Sequence, residues 1–378
     1  MYKLQNDNTN DGDILSHAME FAGIPLSDDE SLPDLMAHPI QQSALDLPHL
    51  KKIVLKLHRG HLLRELIDAF KQIDPTKDIV SVQMVMPDGR LEAAEDSGGV
   101  TRDALSEFWT AFYDQCTLGT KFKVPYLRHD FAEKEWQSVA KIIIFGWESC
   151  KYFPIQLSLP FIQLCIYEKY SANILDNFFD VIPQEEAITL RKALSDFTSV
   201  EQDDLMDALE LHDCKTLPTS NNISKLLNEI AHKEIIQAPM FIADCLQPIL
   251  KKLNITEDHL TQLYTDLIPT SKLVNKMFKF PEVMCAEEQT VAQHLRRFIR
   301  ELNSDSLRKF VRFCTGSDLM VSKEIQVVFV NVSGLARRPI AHTCSCLLEL
   351  SKSYESFPQF RSEFMGVLDS NVWVMDII

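Results

Sequence analysis

The chain has 378 residues, 46% of them hydrophobic and 24% charged, with a formal net charge of −16. That length admits two or three lobes, each with its own core, in an ordinary globular composition. The acidic balance excludes non-specific nucleic-acid binding as the main activity, and no apolar run approaches the roughly 18 residues of a membrane span.

Residues 1–50 read as an acidic, disordered tail. The polar run Asn6-Asp-Asn-Thr-Asn-Asp-Gly12, the cluster Ser27-Asp-Asp-Glu-Ser31 and several prolines leave no sustained periodicity beyond one short helix over about 14–22. The start lacks the basic region and apolar stretch of a signal peptide. Order begins near Lys51. Leu62, Leu63, Leu66, Ile67, Phe70 and Ile73 recur at helical spacing and predict a helix over 59–73. Residues 79–86 alternate as a strand, and Pro87-Asp-Gly-Arg90 is a turn, with Pro setting φ and Gly taking the left-handed position.

An acidic loop ends in Glu95-Asp-Ser-Gly-Gly99. Thr101 is then placed to cap a helix over 102–113. Two glycines before a helix can cradle a phosphate. Here the flanking carboxylates oppose an anion and no P-loop Lys-Ser/Thr pair follows, so the pair reads as a tight structural turn. Residues 124–131 form a connector in which His129 and Asp130 read as a structural hydrogen-bonding pair. A strongly apolar helix covers 133–147, and Pro154 is expected to start another reaching Tyr167. From 171 to about 252 short helices follow one another as a small helical subdomain, and a further helix after Thr256 is closed by Pro269.

Past a connector at Phe280-Pro-Glu-Val-Met-Cys285, helices are expected over about 287–302 and 305–313, the second closed by Thr315-Gly316 with Gly in the left-handed cap position. Residues 325–332 are a β-branched strand, Ser333-Gly334 turns, and the last helix covers about 356–368. Residues 287–378 thus form a compact α/β lobe. Within it lies Pro339-Ile-Ala-His-Thr-Cys-Ser-Cys-Leu-Leu-Glu-Leu350, where Cys346, Leu348 and Leu350 alternate as a half-buried strand. Cys344 sits where a loop enters that strand, a place for a nucleophilic thiolate and equally for a structural half-buried cysteine. His342, two residues away, projects to the same side in an extended chain. A metal reading of His342, Cys344 and Cys346 lacks the fourth ligand of a closed zinc site. A cysteine hydrolase lacks a placed base. Nine cysteines, otherwise scattered singly, look like reduced thiols of the cytosol or nucleus.

Taken together the segments resemble the catalytic domain of HECT-type E3 ubiquitin ligases from about Lys51 onward. Glu95-Asp-Ser-Gly-Gly-Val-Thr-Arg-Asp103 looks like the family's acidic-Gly-Gly-Arg-Glu/Asp turn. Residues 136–153 resemble its central helix and Tyr-Phe-Pro step. Phe298-Ile-Arg-Glu-Leu-Asn303 to Phe310-Val-Arg-Phe-Cys-Thr-Gly316 resembles the opening helices of the C-lobe, and His342-Thr-Cys344 with Leu348 and Leu350 matches the motif around the active-site cysteine. Within the family the segments look closest to the G2/M phase-specific E3 ligase-like group.

The resemblance implies an α+β, bilobal fold: a mainly helical N-lobe over 51–281 with small strands and an E2-binding subdomain at about 171–252, a hinge at 282–288, and a smaller α/β C-lobe over 289–378. It implies that Cys344 accepts ubiquitin from an E2 as a thioester and passes it to a substrate lysine, with His342 and Thr343 as flanking support. The implied partners are ubiquitin, an E2 and protein substrates, with no nucleic acid, membrane, metal or cofactor. Cys346 has no catalytic counterpart and is expected to pack in the strand.

The chain departs from the family pattern at three places. Leu350-Ser-Lys-Ser-Tyr354 replaces Leu-Pro-x-Tyr, Asp318-Leu-Met-Val-Ser322 stands where Leu-Pro-x-Gly-Gly is usual, and the end, Met375-Asp-Ile-Ile378, lacks the family's Phe four positions from the terminus, the nearest aromatic being Trp373. These departures bear on the second transfer and keep open an alternative, a HECT-fold interaction module that binds E2 or ubiquitin without efficient transfer.

Overall fold

A computed structural model describes residues 51–86, 89–91 and 98–370. The expected tail over 1–50, most of the acidic loop and the chain end at 371–378 lie outside the described residues. The described part is mixed α+β, with small sheets among many helices.

The described residues open with a strand that is not among the expected elements. In β1 (Lys51–His58), Ile53, Leu55 and Leu57 alternate with lysines and a valine, and its partner β2 (Asp78–Val85) runs parallel, from Lys51↔Asp78 to His58↔Val85. Gly60, at φ +83°, turns the chain into α1 (Leu62–Phe70). This helix is shorter than the expected 59–73, because the glycine takes a left-handed conformation before it. Its Leu62, Leu63, Leu66, Ile67 and Phe70 are buried at i, i+4 and i+8 spacing.

The next helix, α2 (Gly99–Cys116), begins three residues before the expected start. Gly98 at φ +96° is its cap, and Thr101 is buried inside the first turn. The connector at 124–131 contains a short strand: β3 (Thr117–Leu118) pairs antiparallel with β4 (Val124–Pro125). Its Asp130 is held by Arg128, with Nε and Nη2 at 2.8 and 2.7 Å, and not by His129 as expected. Two donors in a planar fork suit a carboxylate better than one imidazole.

Helix α3 (Glu133–Cys150) buries Trp136, Val139, Ile142, Ile143 and Phe145. The helix expected from Pro154 starts later, as α4 (Leu159–Tyr167), with Pro160 in its first turn. The residues between bond to the connector instead: Lys123 N–H donates to Gln156 O, and Ser158 N–H to Lys123 O. Short helices follow: α5 (Ile174–Val181), α6 (Gln184–Ser195), α7 (Gln202–Glu210), α8 (Ile223–His232), α9 (Met240–Leu250) and α10 (Glu257–Asp266), the last capped by Thr256. One continuous buried core runs through these elements from Leu55 to Leu267 and takes in Leu319 as well.

A second core runs from Val274 to Leu368. It is enclosed by α11 (Ser271–Met277), α12 (Ala286–Glu301), α13 (Ser304–Thr315) and α14 (Phe357–Asp369), packed on a four-stranded sheet of β5 (Phe278–Lys279), β6 (Ile325–Val330), β7 (Ile340–His342) and β8 (Leu347–Ser351). The sheet order is β5-β6-β8-β7, with β5 and β8 parallel to β6 and β7 antiparallel on the edge. Aromatic rings lock the helices together: Phe364 lies 4.9 Å from Phe298 and 5.5 Å from Phe310 between centroids. Residues 282–288 join β5 to α12, between two elements of this core.

Candidate active site

The candidate residues lie on one tight hairpin. β7 and β8 pair from Ile340↔Glu349 to His342↔Leu347, so Thr343, Cys344, Ser345 and Cys346 are the four residues of the turn. Three-residue β7 was hidden in the sequence, and Cys344 is at a hairpin tip and not at the entry of a lone strand. Cys346 closes the turn at φ +51°, a conformation uncommon for a residue with a Cβ. It is a turn residue and does not pack in the strand. Its carbonyl accepts from Gln326 N–H at 2.8 Å, which ties the turn to β6. Ser345 Oγ donates to His342 O at 3.3 Å across the turn.

Exposure differs along these four residues. Thr343 is buried, Cys344 half-buried, Ser345 exposed and Cys346 half-buried. The His342 ring turns to Glu349, with Nε2 3.1 Å from Oε1 on the neighbouring strand. The structure therefore places His342, Thr343 and Cys344 together, with the imidazole engaged by a carboxylate. Cys116, Cys165, Cys245 and Cys314 are buried, and burial pushes each of those thiols up, Cys116 to about 11. Among the described residues no group of three His, Cys, Asp or Glu could hold a metal ion.

What the sequence did not reveal is the neighbour of this turn. The opening of α2 lies directly against it. A Cβ built on Gly99 would sit 2.8 Å from the Cys344 nitrogen and 2.9 Å from both Cys344 Cα and the Thr343 carbonyl carbon. Only glycine lets the helix come so close. One turn on, Arg102 donates through Nη2 to Thr343 O at 2.8 Å and through Nε to Thr315 O at 2.7 Å. The same Nη2 is 3.7 Å from Cys346 Sγ. One guanidinium thus bridges the Cys344 turn and the end of α13.

Beside it lies a buried ion cluster. Asp103, 0% exposed, receives Arg59 Nη1 on Oδ2 at 2.6 Å and Arg312 Nε and Nη2 on Oδ1 at 2.9 Å. Burial by itself pushes the Asp103 carboxyl up. The Arg312 and Arg59 charges and their hydrogen bonds outweigh it and hold the group below the usual carboxylate range. Arg59 belongs to the first core's elements and Arg312 to α13, so the carboxylate joins the two cores. The segment after α13 completes the seam. Gly316, at φ +80°, ends the helix as expected and packs on Gly99, Tyr152 donates to Asp318 Oδ1 at 2.8 Å, and Leu319, 2% exposed, enters the first core. The Gly-Gly and Arg-Asp pairs of 98–103 were legible as a motif. Their partners in the Cys344 turn and α13, more than 200 residues away, were not.

No protein-family model matches the chain. The chain is similar to a bifunctional serine/threonine-protein kinase/NEDD4-like E3 ubiquitin-protein ligase of Dictyostelium discoideum, 30% identical over 103 residues. The match covers 26% of this chain and 5% of that protein. The match suggests a distant HECT-like relationship. No described helix is long and apolar enough to cross a membrane.

Proposed function

We propose that the chain is a HECT-type E3 ubiquitin ligase, closest to the G2/M phase-specific group, that receives ubiquitin on Cys344 and passes it to a substrate lysine. The observation that carries this reading is the position of Cys344, half-buried at the tip of an edge hairpin whose preceding peptide is gripped by Arg102. In the first step the Cys344 thiolate attacks the carbonyl of the E2–ubiquitin thioester. A new thioester forms, and the E2 thiolate leaves. In the second step a lysine amine attacks that carbonyl, an isopeptide bond forms, the Cys344 thiolate leaves, and the amine proton passes to solvent or a nearby base. A good nucleophile that is also a good leaving group divides one acyl transfer into two easier ones.

In this reading the first core is the N-lobe and the second the C-lobe. Because the buried core changes between Leu267 and Val274, a connector at 268–273 is favoured over the expected 282–288, which lies within the second core. The helices within 171–252 supply the E2 surface. In support, Leu211 and Leu217 are 73% and 72% exposed there, and Phe241 is also exposed. Partners and compartment follow the same reading: an E2, ubiquitin and protein substrates, in the cytosol or nucleus.

Two departures from the family pattern favour the second reading, a HECT-fold interaction module. Asp318–Ser322 is used as a seam, and Ser351, where the family has Pro, is 1% exposed and donates to Val332 O at 2.6 Å. A single-turnover assay separates the readings. Mixed with a panel of ubiquitin-loaded E2s, the protein is expected to give a thiol-sensitive ubiquitin adduct on a non-reducing gel. The adduct is lost in Cys344→Ala and kept in Cys346→Ala. A folded protein that takes ubiquitin from no E2 refutes the ligase reading and leaves the interaction module.

A further inference from the structure

We infer that Arg102 is a positioning residue for the nucleophile, and that Gly99 and Arg102 together form a cradle that fixes the Thr343–Cys344 peptide against the first core. The inference rests on the reading of Cys344 as the acceptor and adds a residue from a distant part of the chain to its machinery.

The geometry is that of a clamped peptide plane. The three atoms nearest a Cβ on Gly99 are the Thr343 carbonyl carbon, the Cys344 nitrogen and the Cys344 Cα, all consecutive along the backbone. Gly99 therefore covers this peptide and leaves no room for even a methyl group. The oxygen of the same peptide accepts Arg102 Nη2 at 2.8 Å, and the Nε of that guanidinium is anchored 2.7 Å from Thr315 O. Asp103, the next residue, ties the same helical turn to Arg312 on α13. With one side covered and the oxygen gripped, the peptide has little freedom, and Cys344 inherits that restriction through its own nitrogen and Cα.

Charge adds to the geometry. The donor is a guanidinium, and a charge-assisted hydrogen bond is shorter and stronger than a neutral one. A reacting group displaced by about 1 Å loses about a hundred-fold in rate, which is why a cradle of this kind matters for acyl transfer. It also accounts for the glycine pair. Gly98 takes the left-handed cap at φ +96°, and Gly99, with no positive φ, is small for the sake of Cys344.

The test compares charging of Cys344 from ubiquitin-loaded E2 in wild type, Arg102→Ala, Arg102→Lys and Gly99→Ala. Ala is a better helix former than Gly at an ordinary helical position, so a loss in Gly99→Ala cannot come from the helix and must come from the displaced turn. Arg102→Ala is expected to lower kcat of charging by about ten- to a hundred-fold with KM for the loaded E2 unchanged. Millimolar guanidinium should recover part of the rate in Arg102→Ala, and Arg102→Lys should lose less. Gly99→Ala should slow charging and, because its methyl group overlaps backbone atoms, also lower the melting temperature. Rates are therefore compared at a temperature where both proteins are folded. If wild type charges and both Arg102→Ala and Gly99→Ala charge as fast, the positioning role is refuted and the acceptor reading stands. If wild type does not charge, the acceptor reading fails. Alkylation of Cys344 by iodoacetamide, followed by peptide mass spectrometry, then decides the cradle by itself, because equal rates in all four proteins refute it.

Discussion

Asp103 shows what single residues do in this molecule. A carboxylate with no exposure to water is costly unless paired, and here two guanidiniums from the two sides of the seam complete it. Replacing it by Asn keeps the shape and removes the charge, which leaves Arg312 and Arg59 facing a neutral amide. Asp103→Asn is expected to cost about 3–5 kcal/mol in urea denaturation, the usual loss on breaking a buried pair. The pH dependence follows from the lowered carboxyl. Its contribution is fully present above the unfolded-state value of about 4 and is lost as pH falls through the folded-state value. Wild type should therefore lose stability in acid along a limb that is flatter in the variant. At this scale Cys344 was legible as a candidate, because His-Thr-Cys ahead of alternating leucines is local. Its support was not: Arg102 bonds across 241 positions, and nothing in a single sequence pairs the two.

Elements were legible where their periodicity ran long enough, with the eight-residue β1 the exception. Helices α3, α10 and α12 follow their apolar spacing closely, with caps at Thr256 and, for α13, Asn303. Strands of two or three residues, such as β3, β5 and β7, carry no period that a reader could find, and tertiary pairing alone defines them. The late start of α4 has the same origin, since 123 and 156–158 bond to each other.

His212, between α7 and α8, illustrates a contact made only once elements meet. Its Nε2 is 2.5 Å from Glu186 Oε1 on α6, and its Nδ1 is 3.5 Å from Glu234 Oε1. Burial alone pushes the imidazole down, and hydrogen bonds and charge from Glu234 and Glu186 more than reverse it, so its pKa is raised. A raised imidazole stabilises fully below its unfolded value of about 6.5, and the effect is lost as pH rises through the folded value. His212→Ala should therefore lower the melting temperature by about 2–4 °C at pH 6, the shift expected of about 1 kcal/mol, and by clearly less at pH 9. A gap that widens toward pH 9 would contradict this.

At the scale of the whole molecule, the buried core changes between Leu267 and Val274, and the two cores meet along one seam made by the start of α2, the end of α13 and residues 315–321. The proposed acceptor turn rests on that seam, while the proposed E2 surface lies on the first core. On the proposed reading the Cys344 turn is then braced from one side and open at its tip, where Ser345 is exposed. The mixed α+β class was legible from the chain. The seam was not, because it depends on how two separately readable cores come together. The most direct measurement of the central claim is peptide mapping of Cys344→Ser after incubation with ubiquitin-loaded E2. The account predicts an ester-linked ubiquitin remnant on position 344 that withstands thiol and is released by mild base. A remnant confined to lysines, to Cys285 or to Cys346 would contradict it.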